Sequence, residues 1–209
     1  MVNFLARAIS IVFHPLLMAS YLTAIFLLVF PAALYPIKAE MQLSFLGLLF
    51  LLTFVLPGIN IALFRVFGII SSFSMEDRSE RIRPFLLILI LYGFFTYLLY
   101  TKSRLSIGDN LFNLILIIDA LVLTSLVVTF FYKVSIHSLA IWGIVGIFLP
   151  LNKVVEDGSM LIPTLGAIFV AGLIMSSRLQ LNAHTPREVL TGALAGFAIG
   201  FFGMLLLFT

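Results

Sequence analysis

Three histidines stand in this chain, and two have neighbours suited to phosphorus chemistry. His184 lies in Ser177-Arg178-Leu-Gln-Leu-Asn-Ala-His184-Thr-Pro-Arg-Glu188, between a cation and a carboxylate. His137 closes Lys133-Val134-Ser135-Ile136-His137. A third polar run, Met75-Glu-Asp-Arg78-Ser-Glu-Arg-Ile-Arg83-Pro84, is the densest cluster of charge in the chain. Arginine presents a planar fork that matches phosphate oxygens. An imidazole titrates near neutrality and can act as nucleophile, acid or base. Two imidazoles permit a division of labour, one attacking phosphorus while the other protonates the leaving oxygen. Phosphoryl transfer chiefly needs positioning and charge neutralisation. Two histidines, several cations and one supporting carboxylate would suffice without a metal, and no metal-ligand spacing such as His-x-x-x-His occurs.

The elements that must position these groups are membrane spans. Of 209 residues, 62% are hydrophobic and 10% charged. A soluble domain is about 45–50% apolar and about 25% charged. This chain lacks the polar residues to cover a water-facing surface, which excludes soluble, disordered and coiled-coil classes. A net charge of +3 comes from few, scattered cations, so no nucleic-acid partner is expected. There is no cysteine, hence no disulfide framework and no thiolate site.

A bilayer core of about 30 Å needs about 20 helical residues. Residues 8–37, 41–64, 84–101, 134–152, 158–177 and 189–209 contain no charged side chain, and 110–132 are interrupted only by Asp119. The runs are continuous rather than alternating, so helices are expected and not barrel strands. The expected fold is an all-α polytopic bundle of about six to seven spans, forming a single integral membrane domain over residues 1–209. The stretch 134–152 has the shortest apolar centre. The start resembles a signal peptide, but its apolar run extends past any plausible cleavage point, and it is read as a retained first span. With seven spans, the N-terminus and the segments near 65–83, 133–137 and 178–188 share one side, and all the unusual chemistry falls there.

These residues resemble the type 2 phosphatidic acid phosphatase family, metal-independent membrane phosphatases related to vanadium haloperoxidases. Its three motifs are Lys-x6-Arg-Pro, Pro-Ser-Gly-His and Ser-Arg-x5-His-x3-Asp. Ser177-Arg178, His184 and Glu188 reproduce the third spacing, with Glu in place of Asp. Val134-Ser135-Ile136-His137 is similar to the second without its Pro and Gly, and Arg83-Pro84 to the first, where Glu76 stands at the Lys position. The resemblance spans roughly residues 76–190. It implies a related helical core, His184 as the nucleophile forming a phosphohistidine, Glu188 orienting it, and His137 as general acid. It also implies phosphate binding by Arg178, Arg83 and Ser135, with Arg78 or Lys133 supplying the missing cation. No cofactor is implied.

Structural alternatives accompany several residues. Thr185-Pro186-Arg187-Glu188 reads as a helix-capping box. His14-Pro15 lies inside the first span, where a histidine can simply bond a neighbouring helix. Asp119 is a mid-span carboxylate with no sequence-adjacent partner. Asp77, Glu80 and Arg81 read as a solvated run of ion pairs in a loop ending at Arg83, and Arg65, Lys102, Arg104 and Lys153 as headgroup anchors. Gly192, Gly196 and Gly200 recur at a spacing that favours close helix contact.

The expectation is a phosphatase of a lipid phosphate or diphosphate, with undecaprenyl diphosphate, phosphatidate, phosphatidylglycerol phosphate and lipid A phosphates as candidates. A phosphotransferase and a non-enzymatic binder or transporter of anionic lipids are the alternatives. The expected location is the cytoplasmic membrane of a bacterium. The side of the site, the head group and the oligomeric state stay open.

Overall fold

The computed structural model describes residues 2–73, 75, 77–102, 105 and 107–208. Glu76 and Arg104 lie outside them. Every regular element among the described residues is helical. Seven segments are long and apolar enough to cross a membrane, so the chain is an integral membrane protein: Val2–Val29, Ala39–Val66, Arg78–Lys102, Asn110–Phe131, Ile136–Val154, Leu161–Gln180 and Pro186–Leu207.

The first two spans are interrupted. Span one is helix α1 (Val2–Val12), a 3-10 turn at Pro15–Leu17 and helix α2 (Met18–Val29). The break follows from Pro15, which has no N–H for the preceding turn and pushes the residue before it to extended backbone. His14 has that conformation, at φ −66° and ψ 140°. Span two is α3 (Ala39–Phe50), a π-helical turn at Leu51–Val55 and α4 (Leu56–Val66). Spans three to seven are single helices: α5 (Arg78–Lys102), α6 (Asn110–Phe131), α7 (Ile136–Val154), α8 (Leu161–Gln180) and α9 (Pro186–Leu207).

The expected loop through Arg83 is corrected at its end. Helix α5 begins at Arg78, ahead of the last charges of the run, and Pro84 lies inside it. Asp77 Oδ1 accepts the Ser79 N–H at 3.0 Å and Glu80 stands in the first turn, so orphan donors and the helix dipole both meet negative charge. Glu80 also accepts the Ser71 N–H at 2.9 Å, tying the preceding segment to the helix.

Helix α7, the weakest span by sequence, is the most buried of the seven. Its largest contact is with α9. A Cβ at Gly192, Gly196 or Gly200 would collide with the carbonyl oxygens of Ser135, Leu139 and Gly143, and one at Gly146 with the Phe197 carbonyl. The two backbones therefore touch, as small residues allow within membranes. The glycine stripe sets this approach, and with it the distance between the motif segments at the ends of α7 and α9.

Candidate functional site

The turn between α8 and α9 is built to hold one imidazole. Helix α8 closes with a Schellman motif: Ala183 N–H donates to the Arg178 carbonyl at 3.1 Å and Asn182 N–H to the Leu179 carbonyl at 2.9 Å. Asn182 takes the left-handed conformation, φ 50°, which asparagine tolerates better than most residues. Thr185 then caps α9. Its hydroxyl accepts the Glu188 N–H at 3.3 Å and Glu188 Oε2 accepts the Thr185 N–H at 3.2 Å, a complete capping box. His184 is caught between the two caps, buried, with Nδ1 2.8 Å from the same Glu188 Oε2. A carboxylate only accepts, so Nδ1 carries the proton and the Nε2 lone pair of a neutral ring is free. Burial holds this imidazole down to about 4; the Arg81 and Arg178 charges push the same way, and the Glu188 hydrogen bond opposes them.

Arg178, at the last turn of α8, reaches Ser10 Oγ of α1 through Nη1 at 3.3 Å. Its Nε is buried without a hydrogen-bond partner among the described residues. His137, in the first turn of α7, has Nε2 3.1 Å from the Ser10 carbonyl oxygen. A carbonyl cannot donate, so that nitrogen bears a proton and Nδ1 is left to exchange one. Ser10 thus presents its hydroxyl to the arginine and its carbonyl to the histidine, and is itself buried.

The two arginines near the start of α5 are placed differently. Arg83 is exposed on α5, while Arg81 is 6% exposed and lines the same cavity as His184. Two residues along a helix turn the side chain by about 200°, so these two point to opposite faces. Arg81 Nε donates to the Met75 carbonyl at 2.8 Å and Nη1 to the Val134 carbonyl at 3.2 Å. The solvated ion-pair reading of Arg81 does not hold. Arg78 is exposed.

Ser135 is fully buried and lines neither cavity described below. Its hydroxyl caps α7, accepting the Ser138 N–H at 3.4 Å and the Ser138 hydroxyl at 3.1 Å. Its backbone N–H donates to the Glu188 carbonyl at 3.1 Å, joining the second and third motif segments. Lys133 is half-buried and lines the wall of a recess shared with His184 and Glu188.

Two cavities meet at His184. The larger, about 710 Å³, has Ser10, His14, Arg81, His137, Arg178 and His184 at one end. The rest of its wall is mainly apolar, from Met18 and Leu22 on α2 to Ile88 on α5 and Ile147 on α7. Arg81 and Tyr92, both on that wall, are separated by a helical rise of about 16 Å. The smaller recess is bounded by Lys133, Asn182, Thr185 and Glu188.

Asp119 is not on either wall. Thr96 Oγ1 lies 2.6 Å from its Oδ2 and 3.1 Å from the Tyr92 carbonyl oxygen. The Thr96 hydroxyl therefore has two acceptors within reach, the Asp119 carboxyl and the Tyr92 carbonyl. Among the described residues no group of three His, Asp or Glu side chains could hold a metal ion.

Asn182, Arg81 and the Ser10 backbone are the contributors that sequence reasoning missed. Asparagine just past a helix end was a usable signal for the first. Nothing in the order of residues links Ser10 to Arg178.

The chain matches no family model, no curated protein and no solved structure. The resemblance to lipid phosphatases therefore rests on the motif residues alone.

Proposed function

We propose that this membrane protein hydrolyses a lipid phosphate or lipid diphosphate through a phosphohistidine on His184, in the cytoplasmic membrane of a bacterium. One observation carries the reading. His184, with its Nδ1 tied to Glu188, shares a cavity end with two arginines, and the remainder of that cavity is apolar. Arginines inside a membrane protein are costly and mark substrate or ion pathways by default. An amphiphile with a phosphate head matches both ends, and Arg178 has an unmet Nε donor to give it.

The steps follow from the proton inventory. The Nε2 lone pair of His184 attacks phosphorus, and the bond from phosphorus to the lipid-bearing oxygen breaks. The electron pair stays on that oxygen, which takes a proton from Nδ1 of protonated His137 while Nε2–H remains on the Ser10 carbonyl. Glu188 holds the growing positive charge on His184. Arg178 and Arg81 neutralise the three equatorial oxygens. Water, deprotonated by His137 Nδ1, then attacks phosphorus, and the phosphorus–nitrogen pair returns to His184. Inorganic phosphate leaves, with the recess beside Lys133 as the way out.

A non-catalytic lipid binder would use the arginines but has no part for a histidine braced by a carboxylate. The test is chemical trapping. Protein mixed with a radiolabelled lipid phosphate and quenched in base should carry an acid-labile, base-stable label that His184→Gln abolishes. A label that survives this substitution, or none from any lipid phosphate, contradicts the phosphohistidine.

A further inference from the structure

His14 is a half-buried histidine that the steps above do not use, yet it lines the same cavity end. It stands in the break of span one, where it caps the Pro15–Leu17 turn: Nδ1 accepts the Leu16 N–H at 3.3 Å. An accepting nitrogen bears no proton, so the neutral ring carries it on Nε2. No partner of that Nε2 is found among the described residues. The ring lies edge-on to His137, with centroids 5.6 Å apart.

Its place along span one is informative. Ser10, His14, Met18 and Leu22 all line the cavity, in chain order from its polar end toward its apolar interior. Ser10 carries Arg178, and Met18 and Leu22 begin the apolar wall. A molecule with its phosphate on Arg178 and its chain running toward Leu22 must pass His14 at the step between the two. The atom at that step is the oxygen joining phosphorus to the lipid.

We infer that His14 is a third histidine of the site, donating a hydrogen bond from Nε2 to this bridging oxygen. The inference rests on the function proposed above and deepens it. His14 gives up no proton, since losing Nε2–H would leave an anionic ring; the proton comes from His137. His14 instead stabilises negative charge on the bridging oxygen as the phosphorus–oxygen bond breaks, as a neutral imidazole can. The need is greatest for an alkyl leaving group, which holds charge poorly, and small for a nitrophenyl group, which spreads it over the ring.

Two substitutions separate the roles of the ring nitrogens. His14→Asn keeps an acceptor for the Leu16 N–H and removes the Nε2 donor. His14→Gln puts an amide donor near the Nε2 position. With the full chain in detergent, kcat/KM would be measured for dodecyl phosphate and for p-nitrophenyl phosphate. His14→Asn should lose about 10²-fold on the alkyl ester and change little on the aryl ester, and His14→Gln should recover much of the alkyl rate. An alkyl-to-aryl ratio equal to that of the wild type overturns the role of His14 and leaves the phosphatase standing. A wild type inert on both esters overturns hydrolysis of phosphate monoesters, and this inference with it. Should neither variant fold, ring-nitrogen magnetic resonance of the wild-type protein decides: the Nε2–H tautomer at His14 is expected, and an Nδ1–H tautomer contradicts the assignment.

Discussion

Glu188 Oε2 lies 2.8 Å from His184 Nδ1 and 3.2 Å from the Thr185 backbone nitrogen, so one carboxylate oxygen both caps a helix and orients an imidazole. The capping and catalytic readings of this glutamate are compatible, because the helix start fixes the direction from which it meets the ring.

The two roles can be separated by substitution. Thr185→Ala removes half of the capping box and should cost about 1 kcal/mol of stability, with phosphate release nearly unchanged. Glu188→Ala should lose the same stability and, in addition, about 10²- to 10⁴-fold in kcat. Thermal unfolding in detergent beside an activity assay reads both. Equal activity in the two variants would remove Glu188 from the site.

The arginines make a sharper comparison. Arg81 is buried against the Met75 and Val134 carbonyls, whereas Arg83 is exposed. Arg81→Ala should abolish activity and destabilise by about 2–4 kcal/mol, since hydrogen bonds to a charged group are strong and two carbonyls are left unmet. Arg83→Ala should stay within about 0.5 kcal/mol of the wild type and keep its activity. The reverse order would return the phosphate cation to the position expected from the Arg-Pro pair.

That pair shows where sequence reading stops. The spans were legible because each is a run of about 20 apolar residues, which little else in a protein can be. The third motif was legible because its residues are close in the chain and a capping box has a known spacing. Choosing between Arg81 and Arg83 requires the phase of α5, and that depends on where the helix starts and what covers it. The start was misjudged because charged residues at the aqueous end of a span look like a loop. Span five looked weak because its glycines and polar residues meet α1, α6, α8 and α9 rather than lipid. Ser10 was invisible because its partners lie more than a hundred residues away.

Helix contact supplies a third prediction. A Cβ at Gly196 would strike the Leu139 backbone, whereas one at Gly172 meets nothing within 4 Å among the described residues. Gly196→Ala should destabilise by about 1–3 kcal/mol and reduce activity by parting the α7 and α9 segments. Gly172→Ala should leave both unchanged. Unfolding midpoints of the two variants test this; equal midpoints would mean that the stripe does not set the approach.

The pH dependence has a definite sign. His184 is held down to about 4 against an ordinary 6.5, chiefly by burial. The neutral ring therefore persists in acid, and under the proposed function the limb of kcat/KM due to its protonation should fall well below pH 6.5. The unfolded chain takes up a proton at this residue below about 6.5 that the folded chain refuses. His184 thus contributes stability that is complete above that value and is lost as pH falls toward 4. His184→Gln should flatten that slope between pH 6.5 and 4. An unaltered slope would show that the ring titrates alike in both states.

The central claim is hydrolysis at His184. Purified protein in detergent, with EDTA present, would be given a panel of lipid phosphates and diphosphates, and inorganic phosphate would be measured beside His184→Ala. Phosphate release by the wild type that vanishes in the variant is the predicted result. Release that the variant retains, or a folded wild type that releases none from any of them, would contradict it.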